Sequence, residues 1–250
     1  MPNSINIDWN IESIRVTGFH RGSFNTRSLE SWLETVSENE PIQVNKTGQS
    51  FDGVSRSPDG FIRVNWNGNR FDVRLTPEQP ALATQIAPFT EVQRLFVRYV
   101  DAVPRIENLP IMDRIALGVV LTASVENEEQ GMELLRPAIC GLNVDPRVRD
   151  FLYRANYPFE SQTIIGTRIN HLATWSVGQL QTVKVQIGPD GSQTQETVDT
   201  APMSIRLDLD FSTDQFTSLE ADSELLARLL TELGVQVIDF ANNGESVIRG

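Results

Sequence analysis

The chain has 250 residues, 40% of them hydrophobic and 22% charged, with a net charge of −12 from 33 acidic and 21 basic residues. That length supports one large domain or two small ones around a sizeable core, and the balance is that of a globular rather than a disordered protein. Nucleic-acid binding draws most of its affinity from neutralised phosphates, so an acidic chain whose arginines are scattered singly is disfavoured for that role.

The opening MPNSINIDWN has neither the basic nor the apolar region of a secretion signal, and no later apolar run approaches the roughly 20 residues that span a bilayer. INIDWNIESIRVTGFHRG predicts a strand in which Ile14, Val16 and His20 alternate with more polar positions. NTRSLESWLETVSEN predicts a helix, because Leu29, Trp32, Leu33 and Val36 recur at spacings of three and four, with Asn25 or Thr26 as its cap. In FIRVNWNGNRFDVRL two alternating runs flank Asn67-Gly68, the preferred pair for a two-residue type I′ hairpin turn, where both central residues need positive φ. That turn sets Val64 against Phe71 and Ile62 against Val73 on one side, and Arg63 against Asp72 on the other. TPEQPALATQIAP reads as a proline-punctuated connection. FTEVQRLFVRYVDAV predicts a second helix with Val92, Leu95, Phe96, Tyr99 and Val100 inward, stopped by Pro104 and Pro110.

From Ile111 the same order returns. DRIALGVVLTASVE predicts an apolar strand, and NEEQGMELLRPAICGL a short helix with acidic residues in its first turn, where the helix dipole favours them. The lone Cys140 in that stretch excludes an internal disulfide and makes a reducing cytoplasm the expected compartment, with the thiol expected to be buried and inert. NVDPRVRDFLYRANYPFES reads as a linker. TIIGTRINHLATWSVGQLQTVKVQIG is extended, and the polar region around Asp190-Gly191 turns the chain back through MSIRLDLDFS. DSELLARLLTELGVQVIDFANNG predicts a final helix with Leu225, Leu226, Leu229, Leu230, Leu233 and Val237 inward, stopped at Asn242-Asn243-Gly244. These elements predict an α+β fold of two similar lobes, residues 1–103 and 111–250, joined by a proline-flanked linker at 104–110. Each lobe is expected to be a mostly antiparallel sheet with helices on one face, in the order strand, helix, hairpin, helix. The Asn67-Gly68 hairpin and the Asp190-Gly191 loop favour antiparallel pairing over a doubly wound parallel sheet.

SIRLDLDFS carries the sharpest candidate chemistry. Alternation puts Ile205, Leu207, Leu209 and Phe211 on one face and Arg206, Asp208 and Asp210 on the other. Two carboxylates roughly 6–7 Å apart on one strand face, with Asp214 or Glu220 as a third, is a divalent-metal layout used in phosphoryl transfer. The plainer reading, a half-buried strand with its acids in water, is preferred. His20 and His171 lie in different strands with no carboxylate beside either in sequence, and both are expected to be structural. No serine-hydrolase elbow, phosphate loop, dinucleotide fingerprint or paired-cysteine zinc motif occurs, and no cofactor is expected.

RINHLATWSVGQLQ mixes Arg168, Asn170 and Trp175 with apolar positions, and these three are the candidate anchors of a protein-binding strand. The competing account makes it a central strand whose tryptophan packs on the last helix. DFLYRANYPF, RINHLATWSV and the ending LDLDFS with LARLLTEL resemble a sporadically distributed family of uncharacterised bacterial proteins, over about the last half of the chain. The resemblance implies an accessory role such as defence or a toxin–antitoxin partnership, and brings no activity, cofactor or site residue. The expected function is therefore non-catalytic binding of another protein, or of itself as a homodimer, in the cytoplasm and away from membranes. A divalent-metal phosphotransferase or nuclease using Asp208, Asp210 and Asp214 is the alternative.

Overall fold

In Asn10–His20 (β1) apolar side chains fall on one face, with Ile11, Ile14, Val16 and His20 buried. The structure that shows this is a computed structural model, describing residues 5–78, 85–140, 145, 148–179, 181–187, 193–200, 202–214 and 222–248. Thr26–Ser37 (α1) begins where the Asn25 side chain accepts the Arg27 amide at 2.9 Å, and it buries Leu29, Trp32, Leu33 and Val36. The chain then runs as an antiparallel meander: Gln43–Thr47 (β2), Ser50–Ser57 (β3), Gly60–Asn67 (β4) and Arg70–Thr76 (β5). β2 and β3 were not expected. Their sequence is rich in Asn, Ser, Gly and Asp, and their place comes from ladder pairing with β4 rather than from strand propensity.

The β4–β5 hairpin forms, but its turn sits one residue later than Asn67-Gly68. Gly68 and Asn69 are the turn residues; φ is positive at Gly68 (61°) and not at Asn69, the φ pattern of a type II′ rather than a type I′ turn. Val64 therefore pairs with Val73, Ile62 with Leu75 and Arg63 with Arg74. The slip keeps every side chain on its expected face and adds a closing pair, Trp66 against Phe71, both buried, with the Trp66 indole donating to the Gly68 carbonyl at 3.0 Å.

Ala87–Pro88 (β6) touches β1, and the next helical stretch opens as a 3₁₀ turn, continues as Val92–Leu95 (α2) and ends as a π-turn at Phe96–Val100. Its inward residues are the expected ones: Val92, Leu95, Phe96, Tyr99 and Val100. Met112–Ser124 (β7) follows, then Glu128–Leu135 (α3), capped by Asn127, whose side chain accepts the Gln130 amide at 3.0 Å. Part of the expected linker is a strand, Leu152–Glu160 (β8). It carries Pro158, which an edge strand tolerates because the missing N–H is not needed there. Arg168–Gly178 (β9), Gln181–Ile187 (β10), Gln193–Thr200 (β11), Ser204–Thr213 (β12) and Ser223–Asn243 (α4) complete the chain. β10 and β11 pair only with each other, so the stretch taken as a polar turn includes a strand; the Asp190-Gly191 loop lies outside the described residues. α4 ends as expected, at Gly244 with φ 57°.

The fold is α+β. The other strands form one antiparallel sheet in the order β2-β3-β4-β5-β1-β7-β12-β9-β8, with β6 set against β1. β5 returns beside β1 and β12 beside β7, while β1 and β7 pair at the centre. The helices cover one face, where a single apolar cluster joins strand residues to the α1, α3 and α4 cores. No described helix is long and apolar enough to cross a membrane. The opposite face of the sheet carries the polar members of each alternating strand, and it is here that the candidate site lies.

Candidate interaction surface

Alternation decides what the open face presents. Each strand on the path from β3 to β8 sends at least one arginine to it: Arg56, Arg63, Arg70 with Arg74, Arg15, Arg114, Arg206, Arg168 and Arg154. These residues look isolated in the chain because consecutive outward positions belong to different strands, and only pairing gathers them. All but Lys46 and Lys184 of the 21 basic residues are arginine, the cation whose planar fork grips carboxylates through two bonds.

Most of these arginines meet an acid. Arg63 holds Asp52 through two bonds of 2.7 and 2.8 Å, which keep the Asp52 carboxyl below its usual pKa. Arg70 holds Asp72 at 2.6 and 3.0 Å, and Thr17 donates to the same carboxylate at 2.6 Å. Arg15 crosses β7 beside Gly118 to reach Asp210 at 3.3 Å; a Cβ on that glycine would lie 3.3 Å from the guanidinium. Arg206 bonds Glu12, Arg168 lies 3.6 Å from Glu160, and Arg114 donates to the Ser212 hydroxyl at 3.2 Å. Phe19 stands between the Arg70 and Arg114 guanidinium groups, 5.9 and 5.6 Å from its ring centre. Among the described residues Arg74, Arg154 and Asp208 make no ion pair or hydrogen bond through their side chains. Asp208 stays open to water, yet the crowding of its surroundings raises its pKa by desolvation; Asp210 and Glu12 push it up further, against Arg206 and Arg15.

The three predicted anchors do not share a face. Arg168 and Asn170 project from the open side, where Asn170 accepts from the Asn156 amide at 3.0 Å. Trp175 projects the other way, is 0% exposed, and packs between Trp9 and Phe240 at 6.2 and 6.1 Å between ring centres. An odd-numbered residue cannot share a strand face with two even-numbered ones, so Trp175 belongs to the core and is withdrawn as an anchor. Asn170 instead lines a shallow depression of about 400 Å³ with Arg114, Asn156, Leu172, Asp210, Ser212 and Asp214. Asp208 and Asp210 share the open face as expected. Among the described residues no group of three or more His, Cys, Asp or Glu side chains converges to hold a metal, and Asp210 is engaged by Arg15; Glu220 lies outside the described residues.

Beneath the sheet lie polar groups that no sequence motif announced. Glu245 is buried and accepts the Tyr157 hydroxyl at 2.8 Å, which is itself 3.1 Å from the Tyr153 hydroxyl; burial, then these partners, raises the Tyr157 pKa. Ser161, Gln162 and Thr163 donate to the Glu232 carboxylate at 2.7–3.1 Å, fixing the β8–β9 loop. Both histidines are buried on this side. His171 stacks between Phe159 and Phe211 and meets Gln236 at 2.8 Å, while His20 packs edge-on to Phe24. Cys140 is half-buried rather than enclosed.

Burial lowers the pKa of both imidazoles from 6.5, because it disfavours the cation. As pH falls, the unfolded chain therefore takes up protons before the folded one. The stability held above 6.5 is lost as pH drops through the two folded-state values. Urea midpoints should fall between about pH 7 and pH 5, and a His20→Phe, His171→Phe double variant should flatten that slope. A slope that persists in the double variant would assign it to other groups.

No family model matches the chain, and no curated protein matches it.

Proposed function

We propose that this protein is a non-catalytic binding module whose working surface is the open face of its sheet, and that its ligand is another protein surface. The observation that carries this reading is the arginine contributed by every strand from β3 to β8, interleaved with carboxylates on a face that no described helix covers. A mosaic of both signs at strand spacing repels a continuous phosphate chain at every acid, whereas a protein surface can answer each charge with its opposite. Arginine and aromatic side chains such as Phe19 are the residue types enriched at interface cores.

The sheet edges support the same preference. β8 carries Pro158, and β2 is short and includes Lys46, devices that blunt pairing with another strand. Residues 1–103 and 111–250 are, in this reading, two versions of one unit, each closing its last strand onto its first, with the two first strands fused at the centre. The single cysteine supports a reducing compartment such as the cytoplasm.

The test is capture of a partner from source cells by the tagged protein. Arg168→Glu with Asn170→Ala should abolish capture without moving the melting temperature, because both side chains lie on the open face. Capture that survives this change, and is lost instead on altering Glu224 and Arg228 of α4, would place the working surface on the helical side.

A further inference from the structure

The open face is ordered in rows, and one row is unusual. Arg63, Arg74 and Arg15 are direct cross-strand neighbours on β4, β5 and β1, and the row continues through Gly118 of β7 to Asp210 of β12. Like charges directly opposite each other destabilise a sheet. Arg63 turns away toward Asp52 and Arg15 turns away toward Asp210, which leaves Arg74 exposed between them with no acid among the described residues. Across the centre, Asp208 stands on β12 without a cation in contact among the described residues. An unpaired arginine thus sits on β5, one strand outside β1, and an unpaired aspartate on β12, one strand outside β7.

This placement is self-complementary. We propose that the open face recognises a second copy of itself, docked about a twofold axis that runs along the strands between β1 and β7; the inference rests on the reading of this face as a protein-binding surface. Such an axis exchanges β1 with β7 and β5 with β12. Arg74 then lies over β12 of the second copy, where Asp208 is the carboxylate not already held by Arg15, and the reverse pair forms at the symmetric position. Isologous contacts of this kind are the commonest basis of homodimers. Eight strands about 4.8 Å apart and roughly 25 Å long offer on the order of 850 Å² per copy, close to the ~800 Å² that a standard interface takes from each partner.

The test is sedimentation equilibrium of the full chain at about 50 mM and about 500 mM salt, chosen to bracket ordinary screening. The expected result is the mass of two chains at low salt and a shift toward one chain at high salt. Arg74→Glu and Asp208→Arg should each weaken association by at least about tenfold, and the two changes in one chain should restore it, because each reversed charge again meets its opposite. Arg74→Gln and Asp208→Asn, with melting curves, separate lost contacts from lost folding. A one-chain mass at low salt overturns the inference, as does a dimer that survives both reversals. A one-chain protein that still captures a different partner through Arg168 and Asn170 overturns self-recognition alone and leaves the proposed function standing.

Discussion

Trp175→Ala is expected to cost about 3–5 kcal/mol of stability, the range for emptying a large aromatic site in a packed core. The indole is fully enclosed between Trp9 and Phe240, and Phe240 in turn meets Phe211 edge-on at 5.7 Å, so the cavity would open where β9, β12 and α4 meet. Trp175→Phe should cost much less, because the indole nitrogen has no hydrogen-bond partner among the described residues and its loss leaves no acceptor unmet. Arg168→Ala and Asn170→Ala, on the other face of the same strand, should stay within about 0.5 kcal/mol of the parent. Urea unfolding of the four proteins checks the whole set. An unchanged midpoint for Trp175→Ala would return that residue to the list of exposed anchors.

Gly60→Ala is expected to cost about 3 kcal/mol or more. Gly60 sits at φ 142°, a conformation that side-chain-bearing residues avoid, and an added Cβ would lie 2.2 Å from the Thr76 carbonyl oxygen. That contact is with backbone, so no rotamer change relieves it. The damage would spread beyond the hairpin, because the turn before Gly60 presents Asp59 to Tyr99 at 2.7 Å and to Arg94 at 2.8 Å. Burial opposes ionisation of Asp59 more than any single partner favours it, yet the bonds from Arg94 and Tyr99 and the charges of Arg94 and Arg98 together lower its pKa. Burial pushes the Tyr99 hydroxyl up to about 12. The β3–β4 turn and the helical stretch around Tyr99 should therefore loosen together. Hydrogen exchange can check this: faster exchange confined to β3 and β4, with Tyr99 unaffected, would show that the two are not linked in this way.

How much of this was legible depended on range. The first helix start was readable because Asn25 caps it locally, and the helix cores because their apolar spacing belongs to one element. The strands β1, β7, β9 and β12 were readable from alternation or apolar runs. β8 was missed although Tyr153, Tyr157 and Phe159 alternate in it, since the stretch was read as a linker and its place at the sheet edge depends on pairing with β9. The hairpin register slipped because turn chemistry was weighed without the Trp66–Phe71 pair that a one-residue shift brings together.

The site was legible only in part, for the same reason. Strand parity alone separates Trp175 from Arg168 and Asn170 and puts Asp208 with Asp210. The arginine face, by contrast, is a product of strand order, and no local window contains more than a fragment of it. The buried Glu245–Tyr157 pair joins residues that lie 88 positions apart, a contact no motif could announce.

Carbodiimide footprinting of carboxylates with mass spectrometry, in the associated and dissociated states, shows which face of the sheet does the binding. Association through the open face should shield Asp208 and Asp210 while Glu224 and Asp239 on α4 are labelled equally in both states. Shielding of Glu224 and Asp239, with Asp208 and Asp210 unchanged, would contradict it.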